Sequence, residues 1–502
     1  MALSSSLVAD VRLIMNIVLP TAIGNAMEYL PVCVGMSLVG HGGDGHAALE
    51  LDALALARAY FNMVAYSPGF GIISALRTLC PQAVGADRPQ LCALYLQRAF
   101  FFIVLGFGFV FPMLYFSDRI LLWTGQPPEL CGMARLYVLR MIPQYFGCVG
   151  MSAIQRIFQA HNWNYANLAI VAIIFAASPG IQWLLIKTLG FGWLGAAWSG
   201  GVINALYPLL QVPYLVRRGH GYLFKPQLKS LSCSGLGEYV RLMLPGFLMT
   251  CMEWWVLEAV VLLSGRLHHA KTTVGAFTIS SQVQSLALMA WIGLAVAASS
   301  LVGQRIGAGD MQGARRAAKV TTIAGLCLSA LVGAAVATLA APIAATFTTS
   351  KDIQALTTKL LPFVAGVMVV DATCNALGGV CSGLGQQRIS AAGSLTGYYL
   401  VGLPVAVGCA FYLHHGEEQG VYWLWAGVAC AMLTALLVQL VALLRPASWA
   451  RASREAAERL ERRAVTDDSS PSRARRLASA LLPADEPRSN ASVVRPINYS
   501  DR

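Results

Sequence analysis

Residues 19–29 read LPTAIGNAMEY, and residues 244–254 read LPGFLMTCMEW. Both open on Leu-Pro and end on Met-Glu-aromatic, 225 positions apart, and Gly40 and Gly265 close the surrounding apolar runs at the same offset. Further along, Gln82-x-x-Gly85-Ala86 matches Gln304-x-x-Gly307-Ala308 at an offset of 222, while Pro143 with Pro362 and Gly192 with Gly420 correspond more loosely. A repeat of this length fixes architecture before any single element is read: the chain is two similar halves.

Each half is apolar. Of 502 residues 56% are hydrophobic and 12% charged, about half the charged share that a water-facing surface requires. Runs of roughly 20 apolar residues, enough to cross a hydrocarbon core, recur along the chain. Twelve such spans are predicted, near 13–39, 53–76, 95–116, 136–157, 165–187, 192–215, 239–264, 274–300, 321–346, 357–383, 390–413 and 421–444. The first is long enough to remain as a transmembrane helix, with no basic region and short core of a cleaved signal ahead of it. The fold class expected is therefore an all-α integral membrane protein of 12 transmembrane helices in two pseudo-symmetric six-helix lobes. The boundaries read as an N-lobe over 1–216, a linker over 217–238, a C-lobe over 239–445 and a tail over 446–502. Six spans per half is an even number, so both lobes enter the bilayer the same way, related by an axis along its normal. Two facing bundles leave a cleft that can open to either side.

The net charge is +12, of which the tail, with 11 Arg against 8 acids, holds +3. The remaining basic residues fall between apolar spans, which marks membrane topology and not a nucleic-acid-binding face. Arg77, Arg88, Arg98, Arg217, Arg218, Lys225, Lys229, Arg241, Arg305, Arg315, Arg316 and Lys319 cluster on one side, whereas 41–50 and 414–420 carry no Lys or Arg. Both termini are expected in the cytoplasm. Arg58 and Arg140 lie toward span ends and can reach the headgroups; Arg156 reads as a topology charge or a gate salt bridge. The tail begins RASREAAERLERR, a candidate amphipathic helix on the membrane surface, and continues as a segment read as disordered. The twelve cysteines form no CxxC pair or secreted framework and read as small packing residues.

Four acids lie well inside predicted spans: Glu28, Glu253, Glu258 and Asp371. A charge at mid-membrane costs about 3 kcal/mol or more, so each needs a reason, and a buried carboxyl can serve as a proton carrier. Glu28 and Glu253 occupy the same place in the two repeats. Glu253 and Glu258 stand about 140° apart around a helix, so one can line a cavity while the other packs elsewhere. Tyr29 follows Glu28, and Trp254 and Trp255 follow Glu253; aromatic faces beside a carboxylate suit a flat organic cation. Packing or interface anchoring is an equally good reading of these rings.

These motifs resemble the multidrug and toxic compound extrusion (MATE) family, eukaryotic branch. The resemblance rests on Ala75-Leu-Arg-Thr-Leu-Cys-Pro-Gln82-Ala-Val-Gly85-Ala86 with Tyr95-Leu-Gln-Arg98, on Cys251-Met-Glu-Trp-Trp-Val-Leu-Glu258, on Val302-Gly-Gln304 with Gly307-Ala-Gly-Asp310, and on Gly397-Tyr-Tyr-Leu-Val-Gly-Leu-Pro404. It covers about residues 10–445. It implies export of organic cations or other amphiphiles against an inward flow of protons, with no cofactor beyond the coupling ion. It further implies that Glu253 and Asp371 form the ion- and substrate-responsive site of the second lobe, with Glu258 in a less settled role. An eighth-helix glutamate of animal members falls at Gln282, which does not titrate, and the first-helix aspartate of many prokaryotic members falls near Gly35.

The function expected is a proton-coupled antiporter taking a small organic substrate, cationic in character, and working as a monomer in the bilayer of the cell surface or an internal compartment. Sodium coupling in the same fold is the nearest alternative. A lipid-linked saccharide flippase would be expected to hold a basic cavity where these charges are acidic. A membrane enzyme would need a clustered site, yet His41, His46, His268, His269, His414 and His415 all fall in predicted outer loops. No P-loop is present to couple ATP hydrolysis.

Overall fold

The computed structural model describes residues 2–40, 47–267, 270–413 and 419–466, and every element among them is helical. The chain crosses six times in each half. The first pass is Ala2–Gly40. The second is broken into Ala47–Phe61, a π-helical turn Asn62–Tyr66, Ser67–Ile72, a 3-10 turn Ile73–Ala75 and Leu76–Gly85. Leu91–Tyr115 is the third, Pro128–Arg140 with Ile142–Ala160 the fourth, Asn164–Trp183 with π-helical Leu184–Thr188 the fifth, and Gly192–Leu215 the sixth. In the second half, Cys233–Ser264 is the seventh pass, Ala270–Gly307 the eighth, Met311–Thr338 with Ala340–Phe347 the ninth, and Lys351–Leu384 the tenth. The eleventh runs from Gln387 to Leu413 through two π-helical segments, Leu395–Gly402 and Gly408–Leu413, and the twelfth is Gly420–Leu444.

Nine helices among the described residues are long and apolar enough to span a bilayer on their own. The second, fourth and sixth passes fall short. The second is interrupted at Ser67-Pro68, the fourth carries Arg140, Gln144, Gln155 and Arg156, and the sixth carries Asn204, Pro208 and Pro213. Polar and helix-bending residues of this kind are tolerated where neighbouring helices supply partners. Large apolar side chains such as Phe109, Leu209 and Leu331 point outward, between 65% and 77% exposed, as a lipid-facing surface requires.

Each half has its own apolar core, one around Tyr95, Tyr137, Tyr145 and Phe158, the other around Trp291, Leu360, Met368 and Trp425. The repeated motif builds the seam between them. Gln82 Nε2 donates to the Gly383 carbonyl at 2.8 Å, and Gln304 Nε2 donates to the Ala160 carbonyl at 2.8 Å. Each glutamine thus reaches the end of a helix in the opposite lobe, and the glycine one turn later lets the backbones touch. A second pair does the same midway along: a Cβ on Gly71 would sit 2.6 Å from Phe247 Cα of the seventh pass, and one on Gly293 would sit 2.9 Å from the Val18 carbonyl of the first. Gly71 and Gly293 share the 222-residue offset, so the seam has two-fold character at two levels.

Arg98, read from sequence as a loop charge, is instead wholly buried in the first turns of the third pass. Its Nε donates to the Ser230 carbonyl at 2.9 Å, and Glu238 lies 4.0 Å from Nη1. Gln97 bonds the Lys225 carbonyl at 2.7 Å and accepts from the Gln227 amide at 3.0 Å. The pair clasps the segment joining the lobes. The stretch expected to lie on the membrane surface does form a helix, Pro446–Thr466. Its apolar stripe, Trp449, Ala452, Ala456 and Leu460, is buried against the protein itself, because apolar residues of both clusters meet it at the seam. Residues 467–502 and the six outer-loop histidines lie outside the described residues.

Candidate functional site

Asp371 stands mid-way along the tenth pass with 3% of its surface exposed. A carboxylate this deep requires hydrogen-bond donors, and two amides supply them. Gln284 of the eighth pass donates Nε2 to Oδ2 at 2.7 Å. Asn375 donates Nδ2 to Oδ1 at 2.8 Å and to the Asp371 carbonyl at 3.1 Å; a spacing of four puts it on the same helix face. Amides satisfy the oxygens without cancelling the charge. Glu253 of the seventh pass lies within electrostatic reach of Asp371, and its countercharge is Arg77 of the second pass. Among the described residues no hydrogen bond fixes the Glu253 carboxylate. Tyr398, buried in the π-helical segment Leu395–Gly402, lies within electrostatic reach of both acids.

The first lobe holds a separate polar cavity, lined by Thr21, Asn25, Glu28, Gln155, Asn164 and Asn167 among others. Gln155 donates Nε2 to Glu28 Oε1 at 2.5 Å. Next to it, Arg156 Nη1 donates to Gln159 Oε1 at 2.7 Å, and Arg156 lies in the field of both Glu28 and Arg77. Glu28, Arg156, Arg77, Glu253 and Asp371 therefore form a series of electrostatically linked charges, half-buried except for the buried Asp371, leading from one lobe into the other. Arg156, read as a topology charge or a gate salt bridge, is a link in this series, bonded to a neutral glutamine.

The remaining residues singled out from sequence are placed elsewhere. Tyr29 and Gln282 bond each other across the seam, hydroxyl to Oε1 at 2.8 Å. Trp254 packs on Phe70 of the second pass with ring centroids 5.9 Å apart, and Trp255 Nε1 donates to the Met63 carbonyl at 3.0 Å. Both indoles thus serve the contact between lobes. Glu258 has no hydrogen bond or ion pair among the described residues. Sequence reasoning passed over Gln284, Asn375, Arg77, Gln155 and Tyr398. Asn375 was legible, four residues from Asp371; Arg77 was counted with the loop charges. Among the described residues no group of three or more His, Cys, Asp or Glu side chains could hold a metal ion.

The repeat has a counterpart among known proteins. The MatE family model matches residues 20–182 and again 245–407, two equal blocks separated by the 225-residue offset of the quoted stretches. The chain belongs to the MatE family. Among relatives of this MATE chain, the mouse "Multidrug and toxin extrusion protein 2" is 29% identical over 439 residues, covering 87% of this chain and 74% of the relative. "Protein DETOXIFICATION 37" of Arabidopsis thaliana is 28% identical over 434 residues, covering 85% and 84%. The crystal structure of the eukaryotic MATE transporter AtDTX14 superposes with a TM-score of 0.83 at 26% identity, covering 90% of this chain and 99% of that one. The Vibrio cholerae MATE transporter VcmN in its bent form, 16% identical with a TM-score of 0.73, shares the fold. This MATE chain is a multi-pass membrane transporter of the extrusion class and not an enzyme.

Proposed function

We propose that this transporter is a proton-coupled antiporter exporting organic cations or amphiphilic metabolites by alternating access between lobes 1–216 and 239–445, as a monomer with both ends in the cytoplasm. The observation that carries this reading is that Glu253 and Asp371 lie within electrostatic reach of each other, with Asp371 held by Gln284 and Asn375 and Glu253 in the field of Arg77. Two carboxylates close together repel, and either a bound cation or a proton relieves that repulsion. The same pair can therefore hold a cationic substrate or protons in turn, which is the exchange an antiporter needs. With the cleft open inward the ionised pair attracts the substrate; after the lobes rock outward, protons neutralise the pair and release it. Glu28, in the matching position of the first lobe and linked through Arg156 and Arg77, is read as a second ion-responsive carboxylate.

The test is transport of a fluorescent organic cation in proteoliposomes under an imposed pH gradient, with and without Na+. Uptake that follows the proton gradient and is lost in Glu253→Gln and Asp371→Asn is the expected result. Undiminished pH-driven transport in both variants overturns the site assignment, and a strict requirement for Na+ assigns the coupling to sodium.

A further inference from the structure

We propose that the helix Pro446–Thr466 is a strap that fastens the two lobes together on the side of the inter-lobe segment and has to release one lobe before the cleft opens to that side.

The helix leaves the twelfth pass at Arg445 and lies across the end of the seam. Its attachment to the C-lobe is broad. Trp449, Ala452 and Ala456 join one apolar cluster with Val302, Ile306, Ala314, Val380 and Leu384. Trp449 Nε1 donates to the Leu443 carbonyl at 2.8 Å, Gln386 Nε2 donates to the Ser448 carbonyl at 2.5 Å, and the Arg315 guanidinium sits 5.6 Å from the Trp449 ring centre. Among the described side chains its attachment to the N-lobe is narrower. Leu460 enters the N-lobe apolar core, and Arg88 Nη1 donates to the Leu460 carbonyl at 2.9 Å. Between the two attachments, Arg459 lies over the meeting point itself. A Cβ on Gly385 would lie 3.1 Å from an Arg459 guanidinium nitrogen and 3.2 Å from Thr78 Cγ2, and Thr78 donates to the Ser382 carbonyl across the seam.

Opening toward this side separates Gln82 from Gly383 and Gln304 from Ala160. A rigid helix bonded to both lobes resists that separation until one end lets go. The N-lobe end, where the described contacts are those of Leu460 and the Arg88 hydrogen bond, is the weaker and is where the strap parts; the helix then travels with the C-lobe. The opposite face of the molecule is untouched by the strap, so it biases direction and not merely stability.

Hydrogen–deuterium exchange of the purified full chain in lipid nanodiscs, without substrate or ion gradient, tests this independently of the coupling ion. Leu460→Asp and, as a milder variant on the other side of the same contact, Arg88→Ala are compared with the exposed control Arg451→Ala. Exchange about threefold or more faster in peptides covering 74–85 and 300–307, together with 457–466, is expected in both variants, with 356–372 in the C-lobe core unchanged. Faster exchange confined to 457–466, with the seam peptides as in the control, overturns the strap and leaves a passive surface helix. Complete exchange of 446–466 in the unaltered protein at the earliest times overturns it as well.

Discussion

Gly85 and Gly307 are mirror partners at the seam: a Cβ on the first would fall 1.9 Å from the Gln304 carbonyl oxygen, and one on the second 2.1 Å from that of Gln82. Both neighbours are backbone atoms in helices, which yield little. Gly85→Ala and Gly307→Ala should each destabilise by about 1–3 kcal/mol through overpacking and by similar amounts, since the contacts are equivalent. Gly180→Ala on the fifth pass meets nothing within 4 Å and should leave the thermal unfolding midpoint near that of the parent. A large gap between the two seam variants would contradict the two-fold reading.

Arg77 and Glu253 should behave as a coupled pair. Arg77→Gln leaves Glu253 in the field of Asp371 without its countercharge, and transport should fall about tenfold or more. Residues in one electrostatic network are non-additive, so Arg77→Gln with Glu253→Gln should be little worse than Glu253→Gln alone. Additive losses in initial transport rate would separate Arg77 from the site.

Gln284→Leu removes one donor from Asp371 while keeping the side-chain volume. A buried acceptor left unsatisfied costs about 1–3 kcal/mol, and more when it is charged, so the unfolding midpoint should drop. Pairing it with Asp371→Leu removes the orphaned charge and should recover part of that loss, which a thermal-shift comparison of single and double variants reads directly.

Arg98→Ala removes the guanidinium beside Glu238 and the donor to the Ser230 carbonyl. Losing one member of a largely buried ion pair costs about 3 kcal/mol, and yield of folded protein should fall accordingly. Gly235→Ala should mimic it, because its Cβ would lie 2.1 Å from Arg98 Nη2. Size-exclusion profiles before and after mild heating distinguish these variants from wild type.

His161, in the turn between the fourth and fifth passes, is pushed down to about 4, chiefly by burial and further by the neighbouring His220, against the Ile157 carbonyl hydrogen bond. Its ring stacks on Trp163 with centroids 4.5 Å apart. The unfolded chain binds a proton near pH 6.5 and the folded chain does not until about pH 4, so stability is lost as pH falls through that window. The loss approaches about 3 kcal/mol at its lower end. The unfolding midpoint of His161→Gln should depend less on pH between 6.5 and 4 than that of the parent.

The architecture was legible because hydrophobic span length, even span number and an internal repeat are properties of the chain itself. The Gln-x-x-Gly motif was visible as a repeat, yet its role was not. That role lies in contacts with Gly383 and Ala160, hundreds of residues from Gln82 and Gln304 in one case and over a hundred in the other. Tyr29, Trp254 and Trp255 were read beside their carboxylates because they are adjacent in sequence, whereas helical geometry turns neighbouring residues about 100° apart and sends these rings to the opposing lobe. Asp371 was found because an acid in an apolar helix stands out; Gln284, being neutral, did not. The amphipathic pattern of 446–466 announced an apolar partner without saying whether it was lipid or protein.

Gln97 and Arg98 hold residues 225–230 against the third pass, and from Cys233 the chain is helix to Ser264. Almost no slack separates that anchorage from the seventh pass. A tilt of one lobe is transmitted along this helix as along a connecting rod, and the first point able to flex is Pro245, where a backbone donor is missing. Glu253 stands about two turns beyond it. A change of angle there would move Glu253 relative to Asp371, so in the proposed mechanism the tilt of a lobe and the spacing of the two carboxyls are two readings of one bend.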